Sequence, residues 1–325
     1  MPCPSPGAGE VLIRVEAATT CGTDLKVYLA GGHPRMLEPP CPFGHEVSGV
    51  VVETGEGSDR WRVGDCLVVA NSASCGTCPE CRDGRENLCR DLQYLNGAYA
   101  DHLVVPARFV ERSSLRRPAD LDPAIAAMAE PLACVLHGVA ACGELPEQVL
   151  VLGGGPIGLM FVAELARLGR RVVLADPVKS RLEVGSVLGA TATVRVEAAP
   201  GDAARLRDAV SGGRGAPLVI EATGSPLAWS VALDTVASGG TVVLFGGCAP
   251  GTEVALDTHR VHYSELTIKG VYHHRPATFV AALDRLATGD LDLRPLLQAE
   301  YGLEGVEQAL CEMQSRRVLK AVIRP

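Results

Sequence analysis

Short β-branched and apolar runs mark the first third of the chain. Val11-Leu-Ile-Arg-Val15, Val47 to Glu53, Cys66 to Ala70 and His102 to Val105 each read as a strand, separated by glycine and aspartate turns such as Gly64-Asp65. No stretch before about residue 118 has the 3.6-residue apolar period of a long helix. After about residue 143 the pattern changes. Val149 to Gly153 predicts a strand, Pro156 to Leu168 a helix, Arg171 to Asp176 a strand and Val178 to Leu188 a helix. Leu218 to Ala222, Thr241 to Gly246 and Leu266 to Tyr272 continue the strands. Alternating strands and helices predict a parallel sheet covered by helices, so the fold class is α/β with a β-rich first part. Pro156 in a first turn and Gly169 just past the last one bound the first of these helices. In the tail, Ala277 to Ala287 and Leu303 to Ser315 read as helical, and Val318 to Ile323 as a closing strand.

One run departs from both patterns. Residues Ala124 to Gly143 are almost all small and apolar, yet include Glu130, Pro131 and His137. An acid inside hydrocarbon is costly, so the expectation is a buried helical segment carrying a functional acid, with no membrane involvement.

Composition narrows the function classes. The 325 residues suffice for two domains, and 47% hydrophobic with 21% charged residues is a globular balance. The net charge is −8 and no basic tract occurs, which argues against nucleic acid as the main partner. Met1 to Glu10 has neither a charged n-region nor an apolar h-region, so no signal peptide is expected. Twelve cysteines without an export signal point to a reducing, cytoplasmic setting and to metal ligation over disulfides.

Four of those cysteines, Cys75, Cys78, Cys81 and Cys89, fall within fifteen residues. Gly76, Pro79, Asp83 and Gly84 make the segment a loop that can aim four thiolates at one tetrahedral zinc ion. Two disulfides would suit a small secreted domain, which this chain does not resemble.

Gly153-Gly-Gly155-Pro156-Ile157-Gly158 matches G-x-G-x-x-G, follows an apolar strand and opens a helix. In that context the glycines allow a tight turn, a close approach to a pyrophosphate and helix-on-strand packing. Asp176 ends the next strand, 18 residues beyond Gly158, where a carboxylate hydrogen-bonds ribose hydroxyls and repels a 2′-phosphate. NAD is therefore expected over NADP, with Lys179 and Arg181 close enough to soften the preference. Cys21, the Gly-flanked His45-Glu46 pair and Glu130 together form a mixed donor set that can leave a metal position open to substrate.

Taken together, Cys21-Gly-Thr-Asp, Gly44-His-Glu, the four-cysteine lobe (75–89), Glu130-Pro-Leu-Ala and the Gly153 fingerprint resemble the zinc-dependent medium-chain alcohol/polyol dehydrogenases. The likeness runs in order and interval along nearly the whole chain, and is nearest to the sorbitol/threonine dehydrogenase-like branch. There the ligands are Cys, His and Glu, and Glu130 stands where the two-Cys type has its second Cys. The resemblance implies a GroES-like catalytic domain from residues 1–142 and 273–325, with a Rossmann domain of residues 143–272 between them. It implies two zinc ions per chain. A catalytic zinc would sit on Cys21 and His45, completed by Glu46, Glu130 or both, and a structural zinc on the four cysteines. It further implies that Thr23 binds the substrate oxygen, and that Thr223-Gly224 and Phe245-Gly246-Gly247 line the nicotinamide pocket. A homodimer or homotetramer acting on a small alcohol or ketone is the implied assembly.

Two departures stand out. Where some relatives have a proton-relay histidine, this chain has Lys26. The proton route then runs through Thr23 and ribose to Lys26, or through Glu46 or Glu130 and water. The chain also begins almost at the Gly9-Glu-Val-Leu stretch, so a late start or a missing edge element is expected. The expected reaction is oxidation of a secondary alcohol (a polyol, cyclitol or amino alcohol) or reduction of the matching ketone. A primary-alcohol or aldehyde dehydrogenase is the rival enzyme, and a zinc/NAD-binding sensor the non-enzyme alternative. Tyr272-His273-His274-Arg275 offers groups for a polar substrate or, equally, forms a charged surface corner.

Overall fold

The structure is a computed structural model that describes residues 3–32, 37, 41–197, 199 and 201–325. Its strands, in chain order, are β1 (Val11–Thr19), β2 (Glu46–Thr54), β3 (Cys66–Val69), β4 (Ser72–Ala73), β5 (Gln93–Tyr94), β6 (His102–Val105), β7 (Ser114–Arg116), β8 (Gln148–Leu152), β9 (Arg171–Asp176), β10 (Ala192–Arg195), β11 (Ala216–Glu221), β12 (Val236–Leu244), β13 (Thr267–Gly270), β14 (Leu297–Tyr301) and β15 (Lys320–Ile323). The chain divides into two compact units. One comprises Met1–Cys134, His274–Asp290 and Leu297–Pro325; the other Val135–His273 and Leu291–Leu296.

The first unit is built on a seven-stranded sheet in the order β14-β15-β1-β2-β3-β7, with β6 also paired to β1. β1 is buried along nearly its whole length, because Ile13, Val15, Val51, Leu67, Phe109 and Ile323 pack into one core. That is why its sequence shows an apolar run where a half-exposed strand would alternate. Register matters here. Thr19 pairs with Glu46 on one side and with Val322 on the other, so β2, β1 and β15 carry Glu46, Thr19 and Lys320 toward one point.

The helix α1 (Gly22–Ala30) follows β1 directly, in a region whose sequence lacks helical periodicity. Local capping explains it: the Cys21 sulfur accepts from the Thr23 amide, and the Asp24 carboxylate accepts from the Cys21 amide. The Ala-rich run becomes a short helix, Pro123–Ala127, followed by α2 (Ala129–Ala141). Glu130 and Pro131 lie in the first turn of α2, where proline removes no helical hydrogen bond. Among the described residues, no helix is long and apolar enough to cross a membrane.

The second unit is a six-stranded sheet in the order β10-β9-β8-β11-β12-β13, parallel throughout. Leu150, Val173, Val219 and Val242 form part of its core. The order in which successive strands are added switches sides between β8 and β11, while their direction stays the same, and this opens a crevice at their carboxyl ends. α3 (Pro156–Arg167) starts at that crevice.

Candidate metal centres and cofactor site

The four-cysteine lobe folds as a loop with one short helical turn, Pro79–Arg82. Its sulfurs stand 3.4 Å (Cys78–Cys81), 3.8 Å (Cys78–Cys89) and 4.0 Å (Cys75–Cys81) apart. A tetrahedral ion with bonds of about 2.3 Å needs sulfurs about 3.8 Å apart, so the four side chains fit zinc. Backbone amides already point at the sulfurs. Thr77 and Cys78 donate to Cys75 Sγ at 3.4 Å, and Cys75 donates to Cys89 Sγ at 3.2 Å. The Thr77 amide first, then the Thr77 hydroxyl and the Cys78 amide, bring the Cys75 thiol down to about 6, while burial pushes Cys81 up to about 12. Sulfur fills every position of such a site and leaves none for substrate.

The second cluster is assembled from distant segments. Ligand atoms of Cys21, His45 and Glu46 lie within 4.8 Å of one another. Cys21 caps α1, its sulfur accepting from the Thr23 amide at 3.5 Å. Asp24 organises the rest: it sits 3.0 Å from His45 Nδ1, accepts from Tyr99 Oη at 2.7 Å and accepts from the Cys21 amide at 2.9 Å. With Nδ1 donating to Asp24, His45 presents Nε2, the arrangement typical of a carboxylate-oriented metal ligand. Gly44 makes this possible. Its φ is +84°, and a Cβ there would lie 2.7 Å from the Tyr99 ring. Burial works against an imidazolium at His45, but Asp24 and Cys21 outweigh it and hold the group well above its ordinary pKa. The cluster therefore calls for a cation at this point, and the chemistry of its donors fits zinc.

Glu46 is fully buried and already engaged. Lys320 Nζ donates to its two oxygens at 2.9 and 2.6 Å, and Thr19 Oγ1 donates to one of them. Lys320 is itself 1% exposed. Burial would lower its pKa, yet Glu46 outweighs that and raises it. Glu130 is not one of the three but lies close enough to feel the charges of His45 and Glu46, and its Oε1 is 3.9 Å from His274 Nε2. Burial pushes its carboxyl up to about 7, against a smaller pull from His45. Thr23 sits beside Cys21, half-buried, while Lys26 is exposed on α1.

In the second unit, Gly153 follows β8 and α3 starts at Pro156. A Cβ on Gly158 would lie 1.8 Å from the Gly153 carbonyl oxygen, so only glycine allows that contact. A Cβ on Gly155 would meet nothing within 4 Å, which leaves open space beside the amino end of α3, as a pyrophosphate requires. Ile157 is half-buried in the first turn. Asp176 is buried and accepts from the amides of Gly154 (2.7 Å) and Val178 (2.8 Å), with Arg181 Nη1 3.8 Å from it. At the end of β11, Glu221 accepts from the amides of Thr223 (2.7 Å) and Gly224 (3.1 Å). Its carbonyl oxygen accepts from Phe245 and Gly246, both at 3.0 Å. Glu221 thus holds together the two loops expected to line the nicotinamide pocket. The residues fit a dinucleotide.

Three residues escaped the sequence reading of roles: Asp24, Lys320 and Glu221. Each left a signal. Asp24 stands at capping-box spacing from Cys21, Lys320 is a single charge inside Val318 to Ile323, and Glu221 closes an apolar strand.

Comparison with known proteins places this geometry in a lineage. Residues 7–114 match the alcohol dehydrogenase GroES-like domain, and residues 156–288 match the zinc-binding dehydrogenase family. An L-threonine 3-dehydrogenase of Bacillus velezensis is 33% identical, with 100% of this chain and 94% of that protein covered. A zinc-binding dehydrogenase of Sinorhizobium meliloti, solved bound to NADP, superposes with a TM-score of 0.89 at 31% identity, covering 100% and 94% of the two chains. L-idonate 5-dehydrogenase of Escherichia coli superposes with a TM-score of 0.84 at 25% identity, covering 97% and 91%. Agreement of this extent carries hydride transfer between a secondary alcohol and NAD(P) with it, and the chain belongs to the zinc-dependent medium-chain alcohol and polyol dehydrogenases.

Proposed function

We propose that the chain oxidises a polyol, cyclitol or amino alcohol at a secondary hydroxyl with NAD, using a zinc held by Cys21, His45 and Glu46. A second zinc, on Cys75, Cys78, Cys81 and Cys89, is structural. The observation that carries the reading is the convergence of Cys21, His45 and Glu46 within 4.8 Å, with Asp24 behind His45. A zinc held there would supply Lewis acidity toward the substrate hydroxyl, and a nicotinamide bound by the second unit would supply the hydride acceptor.

The chain's own groups do the rest. Thr23, next to Cys21, hydrogen-bonds the substrate oxygen. Glu130 takes up the hydroxyl proton: its pKa of about 7 suits a group that gains and loses a proton near neutrality. That value favours Glu130 over the exposed Lys26 as the start of the proton route. Asp176 supports NAD, since its carboxylate would repel a 2′-phosphate, and Arg181 moderates that repulsion. The names of the threonine and idonate dehydrogenases support the substrate class. The edge strand β13 is the proposed contact in a homodimer or homotetramer, which light scattering after size exclusion would test.

The test of function is a panel on zinc-loaded protein with NAD and with NADP. It spans L-threonine, sugar alcohols, cyclitols, simple secondary alcohols and small primary alcohols. Turnover of polyhydroxy or amino secondary alcohols with NAD is expected. Turnover confined to primary alcohols would refute the substrate class, and an NADP preference would refute the role given to Asp176.

A further inference from the structure

The motif Tyr272-His273-His274-Arg275 enters neither the metal centres nor the cofactor loops described above. The backbone is also strained there, as it is at Glu265 and Arg316. His273 has φ +66°, a left-handed conformation costly for a residue with a Cβ, and its carbonyl oxygen lies 2.7 Å from His137 Nδ1. The next two side chains reach different places. His274 is 5% exposed; its Nε2 stands 3.2 Å from Asn71 Oδ1, 3.4 Å from Ser72 Oγ and 3.9 Å from Glu130 Oε1. Arg275 Nε donates to Asn87 Oδ1 at 3.2 Å, and its amide donates to Thr278 Oγ1 at the start of α4 (Pro276–Thr288).

Those partners have meaning in the sequence. Asn71 and Ser72 lead directly into Cys75, and Asn87 lies two residues before Cys89. The four-cysteine lobe is therefore gripped at its entry by His274 and at its exit by Arg275. Ser72, Ser74, Asn87, Arg112, His274 and Phe279 line a small cavity there, so polar contacts hold the strap to the lobe where packing is incomplete. The same His274 faces the buried Glu130.

We propose that His274 and Arg275 form a strap through which the lobe positions the Glu130 carboxylate. This rests on the reading of Glu130 as a group of the catalytic site. His274 and Arg275 are positioning residues. The lobe, with its metal, supplies rigid anchor points, and the strap converts that rigidity into a fixed location for Glu130.

The experiment combines kinetics with a chemical probe. Arg275→Met, in zinc-loaded protein, is expected to lower kcat/KM about tenfold, but less than about twofold when Glu130 is already Gln, as coupled residues behave in a double-mutant cycle. Equal losses in both backgrounds, or no loss in either, would overturn the strap. Cys134, whose sulfur lies 3.8 Å from Glu130 Oε1, reports on the same turn without any turnover. Its alkylation, followed by peptide mass spectrometry, is expected to speed up about fivefold in Arg275→Met while Cys142 is unchanged, as a local opening requires. Equal acceleration at both thiols, or none at Cys134, counts against the proposal. If Arg275→Met does not fold, Asn87→Ala removes the same bond from the other side. Should no alcohol be turned over by the parent protein, the functional reading falls, and the thiol measurement still decides the strap.

Discussion

The two candidate zinc sites lie in one unit of the chain and are built on opposite plans. The lobe takes its four sulfurs from fifteen consecutive residues, and backbone amides of the same loop stabilise them. The other site draws Cys21 from a helix cap, His45 from a turn at the mouth of β2, Glu46 from the first position of β2 and the Glu46 counter-ion Lys320 from the last strand, with Glu130 of α2 nearby. A local site can close completely around its ion. A site assembled from distant segments keeps its donors on separate elements, each held by its own partner, and can leave room for a substrate. Asp24 holds His45, Lys320 holds Glu46, and His274 faces Glu130. The lobe needs none of this, because its chain geometry does the positioning.

The sharpest way to break this contrast is His45→Ala. It should lower kcat/KM by about 10⁴-fold, since Lewis-acid assistance and charge stabilisation are lost together. Metal analysis should find one zinc gone and the lobe zinc retained. An active His45→Ala protein would end the assignment.

Cys78→Ser tests the other half. Loss of the lobe zinc should destabilise the first unit by about 4 kcal/mol, because binding energy of a structural zinc is folding energy. Trp61 is buried in that unit and Trp229 lies in the other. Urea unfolding followed by Trp61 fluorescence in a Trp229→Phe background therefore isolates the effect. Turnover of the folded fraction should fall only about tenfold, transmitted through the strap. Abolished turnover with the catalytic zinc in place would erase the distinction between the sites.

Lys320→Met comes next. It strands the buried Glu46 carboxylate without its counter-ion, which costs about 3 kcal/mol, whereas Lys320→Arg should recover part of that. The same Trp61 unfolding measurement reads it. Unchanged stability would mean that Glu46 is held by something other than Lys320.

The smallest effect concerns the cofactor loops. Burial holds the Glu221 carboxyl above its usual 4.5, against the donors at Thr223 and Gly224. Below the unfolded value both states carry the proton, and the full stability is present. As pH rises past it, the unfolded state ionises first, so stability falls until the folded carboxyl also ionises. Glu221→Gln should flatten that part of the Tm-versus-pH curve. A slope identical to that of the parent protein would show that Glu221 does not titrate in this range.

Much of the fold could be read in advance where the signal was local. The strands at His102–Val105 and Arg171–Asp176 and the helix starting at Pro156 begin where periodicity, proline and glycine place them. α1 was not legible, because its start depends on a cap between a thiol and a carboxylate and not on an apolar stripe. β10 and β14 were also missed. β10 lies at one end of its sheet, largely exposed, and its residues show no clear alternation.

By itself the sequence determined what short-range spacing can encode: four cysteines that must meet, a glycine turn between strand and helix, and an acid at the next strand end. Tertiary structure alone decided the partners of buried charges. Lys320 and Glu46 are separated by nearly the whole chain, and Glu130 meets His274 across 144 positions of sequence. A charge in a core must find a counter-charge, but which one it finds depends on strand order and register, and those are settled only when the sheet closes.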